Sequence, residues 1–327
     1  MKGKPILVLL AAMLLTIPAF VSKEDAPKDI AALGKMLFFD PILSRDRTIS
    51  CASCHKEEFA FADTSAVSLG VKGRKGKRNT PSAMNVLLQP HFFWDGRATT
   101  LEQQALMPIE NPDEMDLPIG EAIKRLNSSA RYKAYFRRLF NELPNQKNLA
   151  VALATFERTL ETSASPFDDW RMNDNEEAVS LSAKRGFQIF NEKGKCIQCH
   201  FGPDFNNTEF RNIGLFDGKL LADSGRASVT SNAADLGRFK IGSLRNIALT
   251  APYMHNGMFK TLEEVIEFYN HPDKIIPNSI NRDPLMAKPL DLTDQDKQDL
   301  LAFLHSLTDK QFINKHKTTA GIDIKKH

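Results

Sequence analysis

Apolar residues recur at helical spacing along most of this chain, and no segment shows the strict alternation of a half-buried strand. Asp29 to Phe39 predicts a helix with Ile30, Leu33, Met36 and Leu37 on one side. Two amphipathic stretches, Ile119 to Phe140 and Leu149 to Leu160, predict two more. Ser182 is placed as the cap of a helix that carries Phe187, Ile189 and Phe190 and stops at Gly194. Leu262 to Phe268 continues the pattern. Thr293-Asp-Gln-Asp-Lys-Gln opens a closing helix with Leu300, Leu301, Phe303 and Leu304. Between these, Gly202 to Ser243 is rich in Gly, Asn, Asp and Ser and reads as loop, long enough to wrap a planar ligand. Pro108 and Pro112 mark a further structured loop. The expected fold is therefore mainly α with little sheet. A chain of 327 residues suggests two domains. Ser163 to Pro166 reads as the hinge between residues 23–164 and 165–327.

The N-terminus changes the picture in one respect. Lys2 and Lys4 precede an apolar run from Ile6 to Phe20, short for a spanning helix, with small residues around Ala19 and Ser22. Residues 1–22 are expected to be an export signal, with an uncleaved anchor as the competing reading. The net charge of +3 is too small to argue for nucleic acid or a membrane surface.

The chemistry is carried by two pentads, Cys51-Ala-Ser-Cys54-His55 and Cys196-Ile-Gln-Cys199-His200, which use all 4 cysteines. Such a pentad can attach a haem through two thioethers and offer the following His to the iron. Zinc is the rival occupant of paired Cys-x-x-Cys units. It is disfavoured because each pair is followed at once by His and the pairs lie far apart. Each pentad follows a predicted helix, a layout similar to a small class I cytochrome c, and the chain reads as two such modules in tandem. Haem attachment of this kind belongs outside the cytoplasm, which fits export to the periplasm.

Further segments carry a resemblance. Arg78-Asn79-Thr80-Pro81-Ser82, Phe93-Trp94-Asp95-Gly96-Arg97-Ala98, Leu101-Glu102-Gln103-Gln104-Ala105, Ser243-Leu244-Arg245-Asn246 and Ala251-Pro252-Tyr253-Met254-His255-Asn256-Gly257 together resemble the bacterial dihaem cytochrome c peroxidases, a family that includes the MauG proteins. The resemblance spans nearly the whole mature chain. It implies two covalently attached c-type haems, with peroxide reacting at the N-terminal one and electrons arriving through the C-terminal one. Gln104 and Glu114 would line the distal side of the first haem, and Trp94 would lie between the two. Asn79, with the carbonyls of Thr250 and Pro252, would hold calcium. The implied partners are hydrogen peroxide and a small periplasmic donor (a cytochrome c or cupredoxin), or a protein substrate. A homodimer is compatible with this.

Two departures bear on function. The resemblance puts a histidine ligand of the first haem on the Ser68–Gly73 loop, where this chain has Val71. A valine cannot bind iron, so the first haem is expected to be open. The peroxidases place a Met over the second haem. The matching position here is Tyr269, as in MauG, and a phenolate lowers the potential where Met raises it. From pattern alone Tyr269 reads as a packing residue, but the resemblance makes it the expected ligand; Met254, Met258, His255 and His271 remain rivals. Three functions are weighed: a peroxidase, a MauG-like oxidase of a protein or organic substrate, and a non-enzymatic electron carrier. Lys72, Arg74, Lys75, Lys77 and Arg78 read as a solvated loop, and Trp170 as a packed aromatic. MauG carries an exposed Trp just before its second pentad, where this chain has Gly194 and Lys195.

Overall fold

The computed structural model describes residues 26–162 and 164–313. The expected export signal lies outside them. Among the described residues the chain is mainly helical, and its sheet is one antiparallel pair, Phe210–Arg211 with Phe239–Lys240, inside the stretch read as loop.

Two helix crossings organise the molecule. Ile30–Phe39 packs on Gln146–Glu157, and Leu181–Asn191 packs on Asp294–Ser306. The crossings match residue for residue. A Cβ on Gly34 would lie 1.9 Å from the Ala152 carbonyl oxygen and 2.8 Å from Cβ of Phe156. A Cβ on Gly186 would lie 1.9 Å from the Asp299 oxygen and 2.8 Å from Cβ of Phe303. Phe38 meets Phe156 at 5.2 Å, and Phe190 meets Phe303 at 5.1 Å. Only glycine lets the backbones approach this closely. Gly186→Ala is therefore expected to destabilise the fold by about 3 kcal/mol despite alanine's better helix propensity. A denaturation shift below about 1 kcal/mol would contradict so tight a crossing.

Several element boundaries differ from expectation, each for a local reason. The long helix predicted over Ile119 to Phe140 is two, Ile119–Ser128 and Ala130–Phe140. Ser129 turns extended between them and caps the second by accepting from Tyr132 N. The helix placed at Leu149 to Leu160 begins earlier, capped by Asn145. Ser180, not Ser182, caps Leu181–Asn191, which ends before Gly194. The Ser182 hydroxyl is spent across the crossing, donating to Asp299 at 2.5 Å. The expected loop around Pro108 is the helix Leu101–Glu110, capped by Thr100. Arg78 is not solvated. It is half-buried and pairs with Asp95 at 2.6 Å and Asp223 at 2.7 Å.

Buried apolar side chains gather into two main clusters, the change falling between Leu160 and Phe167. Phe312 is an exception: far along the sequence, it is buried in the first cluster. Trp170 packs edge-on to Phe167 and Phe187, as a packed aromatic should.

Candidate haem sites

The first pentad is one helical turn, Cys51–Cys54, capped by Ser50. The second is a 3-10 turn, Cys196–Gln198, entered through Lys195 in the left-handed region. No disulfide joins the four cysteines. Burial pushes each of them up, Cys196 to about 12.

Both histidines are held the same way. His55 Nδ1 lies 2.9 Å from the Phe61 carbonyl oxygen, and His200 Nδ1 lies 2.9 Å from that of Phe205. A carbonyl only accepts, so Nδ1 carries the proton and Nε2 keeps its lone pair for a metal. Burial also lowers both pKa values, which favours the neutral ring that metals need. Phe61 and Phe205 adopt φ of 57° and 49°, an unfavourable conformation for a bulky residue, shared at both carbonyls that orient a histidine. These donor sets fit haem.

Around the first pentad, Val71 is completely buried, and its N–H donates to the Glu114 carbonyl at 2.8 Å. Gly70 is needed here, because a Cβ would lie 2.2 Å from the Asp113 oxygen. The loop bearing Val71 is thus pressed against the turn that carries the expected distal carboxylate. Burial raises the Glu114 pKa, opposed by a 2.8 Å hydrogen bond from Asn111 Nδ2 and by Arg97. Its charge is felt at both Cys51 and Cys54. Gln104 is half-buried on the Leu101–Glu110 helix. Pro108 sits one turn further and has no N–H to return to the Gln104 carbonyl.

Around the second pentad lies a cavity of about 310 Å³, whose walls include His200, Tyr269, Trp94, His255 and Met254. It is lined mostly by apolar groups, as small-molecule sites are. Tyr269 is on the Leu262–Asn270 helix, its phenol pKa raised by burial and then by Cys199 and Cys196. Met258 and His271 do not reach this wall, and His271 faces Glu267 instead. His255 stacks on Phe239 at 3.7 Å, which disfavours it as a ligand, and burial lowers its pKa to about 4.

Asn79, Thr250 and Pro252 border the same cavity, with a cis peptide at Ala251-Pro252. The Trp94 indole donates to the Asn79 carbonyl at 2.8 Å, and the Trp94 and His255 rings are 6.5 Å apart. The expected relay is therefore hydrogen-bonded to the backbone of one expected calcium-binding residue, and all four residues border the same cavity.

The sequence profile described as di-haem cytochrome c peroxidase matches residues 28–177. The methylamine utilization protein MauG of Methylorubrum extorquens is 39% identical over 280 residues, 84% of this chain and 77% of that protein. The chain belongs to this dihaem peroxidase family. Cytochrome c551 peroxidase of Nitrosomonas europaea is 39% identical over 250 residues, 76% of this chain and 74% of that one. A solved MauG-like protein associated with microbial copper homeostasis superposes with a TM-score of 0.79 at 31% identity, covering 92% of this chain and 97% of that one.

As a dihaem peroxidase, the chain is a peroxide-dependent oxidoreductase with two haem sites. Its internal repeat also exposes a residue that the motifs missed. Phe92 bridges to Ala98, and Tyr253 bridges to Phe259. Each turn contains a positive-φ glycine, Gly96 or Gly257, and is followed by a threonine that caps a helix starting with leucine, Thr100-Leu101 or Thr261-Leu262. This register pairs Trp94 with His255 and Tyr269 with Pro108. In the first half of the repeat, the counterpart of the phenol is a ring with no donor atom. The repeated Thr-Leu-Glu at Thr100 and Thr261 is the sequence signal that would have found it.

Proposed function

We propose that the chain is a periplasmic enzyme that reduces hydrogen peroxide to water at an open N-terminal c-type haem, with electrons passed through a C-terminal c-type haem ligated by Tyr269. The observation that carries this is the pairing above. Tyr269 borders the second cavity, while Pro108, its counterpart in the repeat, and Val71, at the position expected to cap the first haem, have nothing to give to iron. The competing carrier role would want both irons capped.

Bound haem would supply the iron that delivers electrons to peroxide. The chain's own residues do the rest. The Glu114 carboxylate accepts the proton of the inner peroxide oxygen and returns it to the outer one, whose departure as water completes O–O cleavage. The Gln104 amide orients the peroxide. Trp94 relays electrons between sites, anchored by its hydrogen bond to Asn79. The Asn79 side chain and the Thr250 and Pro252 carbonyls would hold calcium, an oxygen-ligand set suited to that ion. Two electrons and two protons convert one peroxide to two waters.

Tyr269 favours a second reading, in which peroxide drives oxidation of a protein or organic substrate as in MauG. Gly194 and Lys195, where MauG carries its exposed Trp, weigh against a protein substrate reached by that route. The periplasmic assignment rests on the export-like N-terminus and the haem-attachment pentads. No helix among the described residues is long and apolar enough to cross a membrane.

The test is turnover of peroxide by the oxidised holoprotein, with a reduced cytochrome or cupredoxin and no prior reduction. Consumption of two donor electrons per peroxide from the first seconds is expected. A lag removed only by pre-reduction contradicts the open first haem. No donor turnover, with a long-lived oxidised state, favours the MauG-like reading.

A further inference from the structure

We propose that Lys240 is the cationic partner of a propionate carboxylate on the second haem and holds that haem's reduction potential up. The inference rests on the second cavity being a haem site. Lys240 lies in the strand Phe239–Lys240 and borders the cavity that Cys196, Cys199 and His200 also line. Its backbone N–H donates to the Trp94 carbonyl at 2.8 Å, which fixes it beside the relay. Its Nζ donates to Gln89 Oε1 at 3.2 Å, a neutral acceptor.

The other cations on this wall are already satisfied or exposed. Arg211 pairs with Asp283 at 2.8 Å and Glu209 at 2.6 Å. Arg245 pairs with Asp168 at 2.8 Å, and Lys195 is exposed. Lys240 has no carboxylate among the described residues. Burial, and after it Arg226 and Lys240, depress the pKa of His91. The Arg226 guanidinium bonds the Asp95 and Gly96 carbonyls, at 2.9 Å each, and lies over the Phe210 ring. Burial alone drives the Lys240 pKa down to about 8. A buried ammonium is costly unless an anion accompanies it. The haem macrocycle brings two carboxylates into the cavity, and Lys240 is the half-buried cation there with no carboxylate of its own among the described residues. A positive charge beside the macrocycle favours the ferrous state, so the ion pair opposes the lowering expected from a tyrosinate ligand.

The test is spectroelectrochemical titration of both haems in the holoprotein and in Lys240→Gln and Lys240→Arg, at fixed pH and salt. Lys240→Gln is expected to shift the second haem about tenfold toward ferric, ~59 mV for one electron. Lys240→Arg should stay within about threefold of the wild type. The propionate bending band in resonance Raman should move only in the Gln variant. An unchanged second haem in Lys240→Gln, or an equal fall in Lys240→Arg, overturns the proposal. So does a wild-type potential that follows added acetate, since the cation then takes its anion from solution. Haem content is read separately: two haems per chain keep the site assignment, and one haem overturns that assignment itself.

Discussion

Replacing Tyr269 with methionine is expected to raise the reduction potential of the second haem by on the order of 100–200 mV, a modest part of the ~0.8 V range that axial ligands span. The phenolate is a hard anionic donor that stabilises the oxidised metal, and a thioether favours the reduced one. Burial raises the pKa of this phenol, so a ferric ion close by is what would strip its proton. The Leu262–Asn270 helix, through buried Leu262, Ile266 and Phe268, fixes the side chain, and methionine can occupy the same space without disturbing these anchors. The variant should accept electrons from an ordinary cytochrome more readily and hold a doubly oxidised state for less time. Redox titration and the decay of the peroxide-treated protein check both. An unchanged potential would return Tyr269 to packing and leave Met254, on the same wall, as the ligand to test.

Glu114→Gln should lower kcat/KM for peroxide by about 10²–10⁴-fold, the usual worth of a positioned acid–base group. The substitution keeps the shape and the acceptor for Asn111 Nδ2, so lost activity reports the carboxylate rather than a collapsed turn. The pH profile adds a sign. Burial raises the Glu114 pKa, so its basic form is lost at a higher pH than for a free glutamate. Wild-type activity should therefore begin to fall above the ordinary carboxylate range as the medium is acidified, and the Gln variant should lack that limb. A Gln variant within about threefold of the wild type would remove Glu114 from proton transfer.

Much of this site was legible in the chain. The pentads fixed the four cysteines and both histidines, because covalent attachment demands a local pattern. Helix periodicity located the crossing helices, because burial acts on one face. What escaped depended on distant partners. Pro108 read as a breaker, yet the cap at Thr100 and burial of Leu101, Ala105 and Ile109 carry a helix through it. Ser182 looked like a cap until Asp299, from another helix, took its hydroxyl. Arg78 looked solvated because Asp223 lies far away in sequence. Lys240 sits in a stretch without periodicity, and only the cavity wall gives it meaning. The pairing of Tyr269 with Pro108 was visible in the repeated Thr-Leu-Glu, but it needed the two matched turns to set the register.

That pairing supports the central claim, which low-temperature EPR of the oxidised, as-purified holoprotein tests most directly. One high-spin ferric signal from the first haem, beside one low-spin signal that changes in Tyr269→Phe, is the predicted result. Two low-spin signals, with the first haem capped by a protein ligand before any reduction, would contradict it.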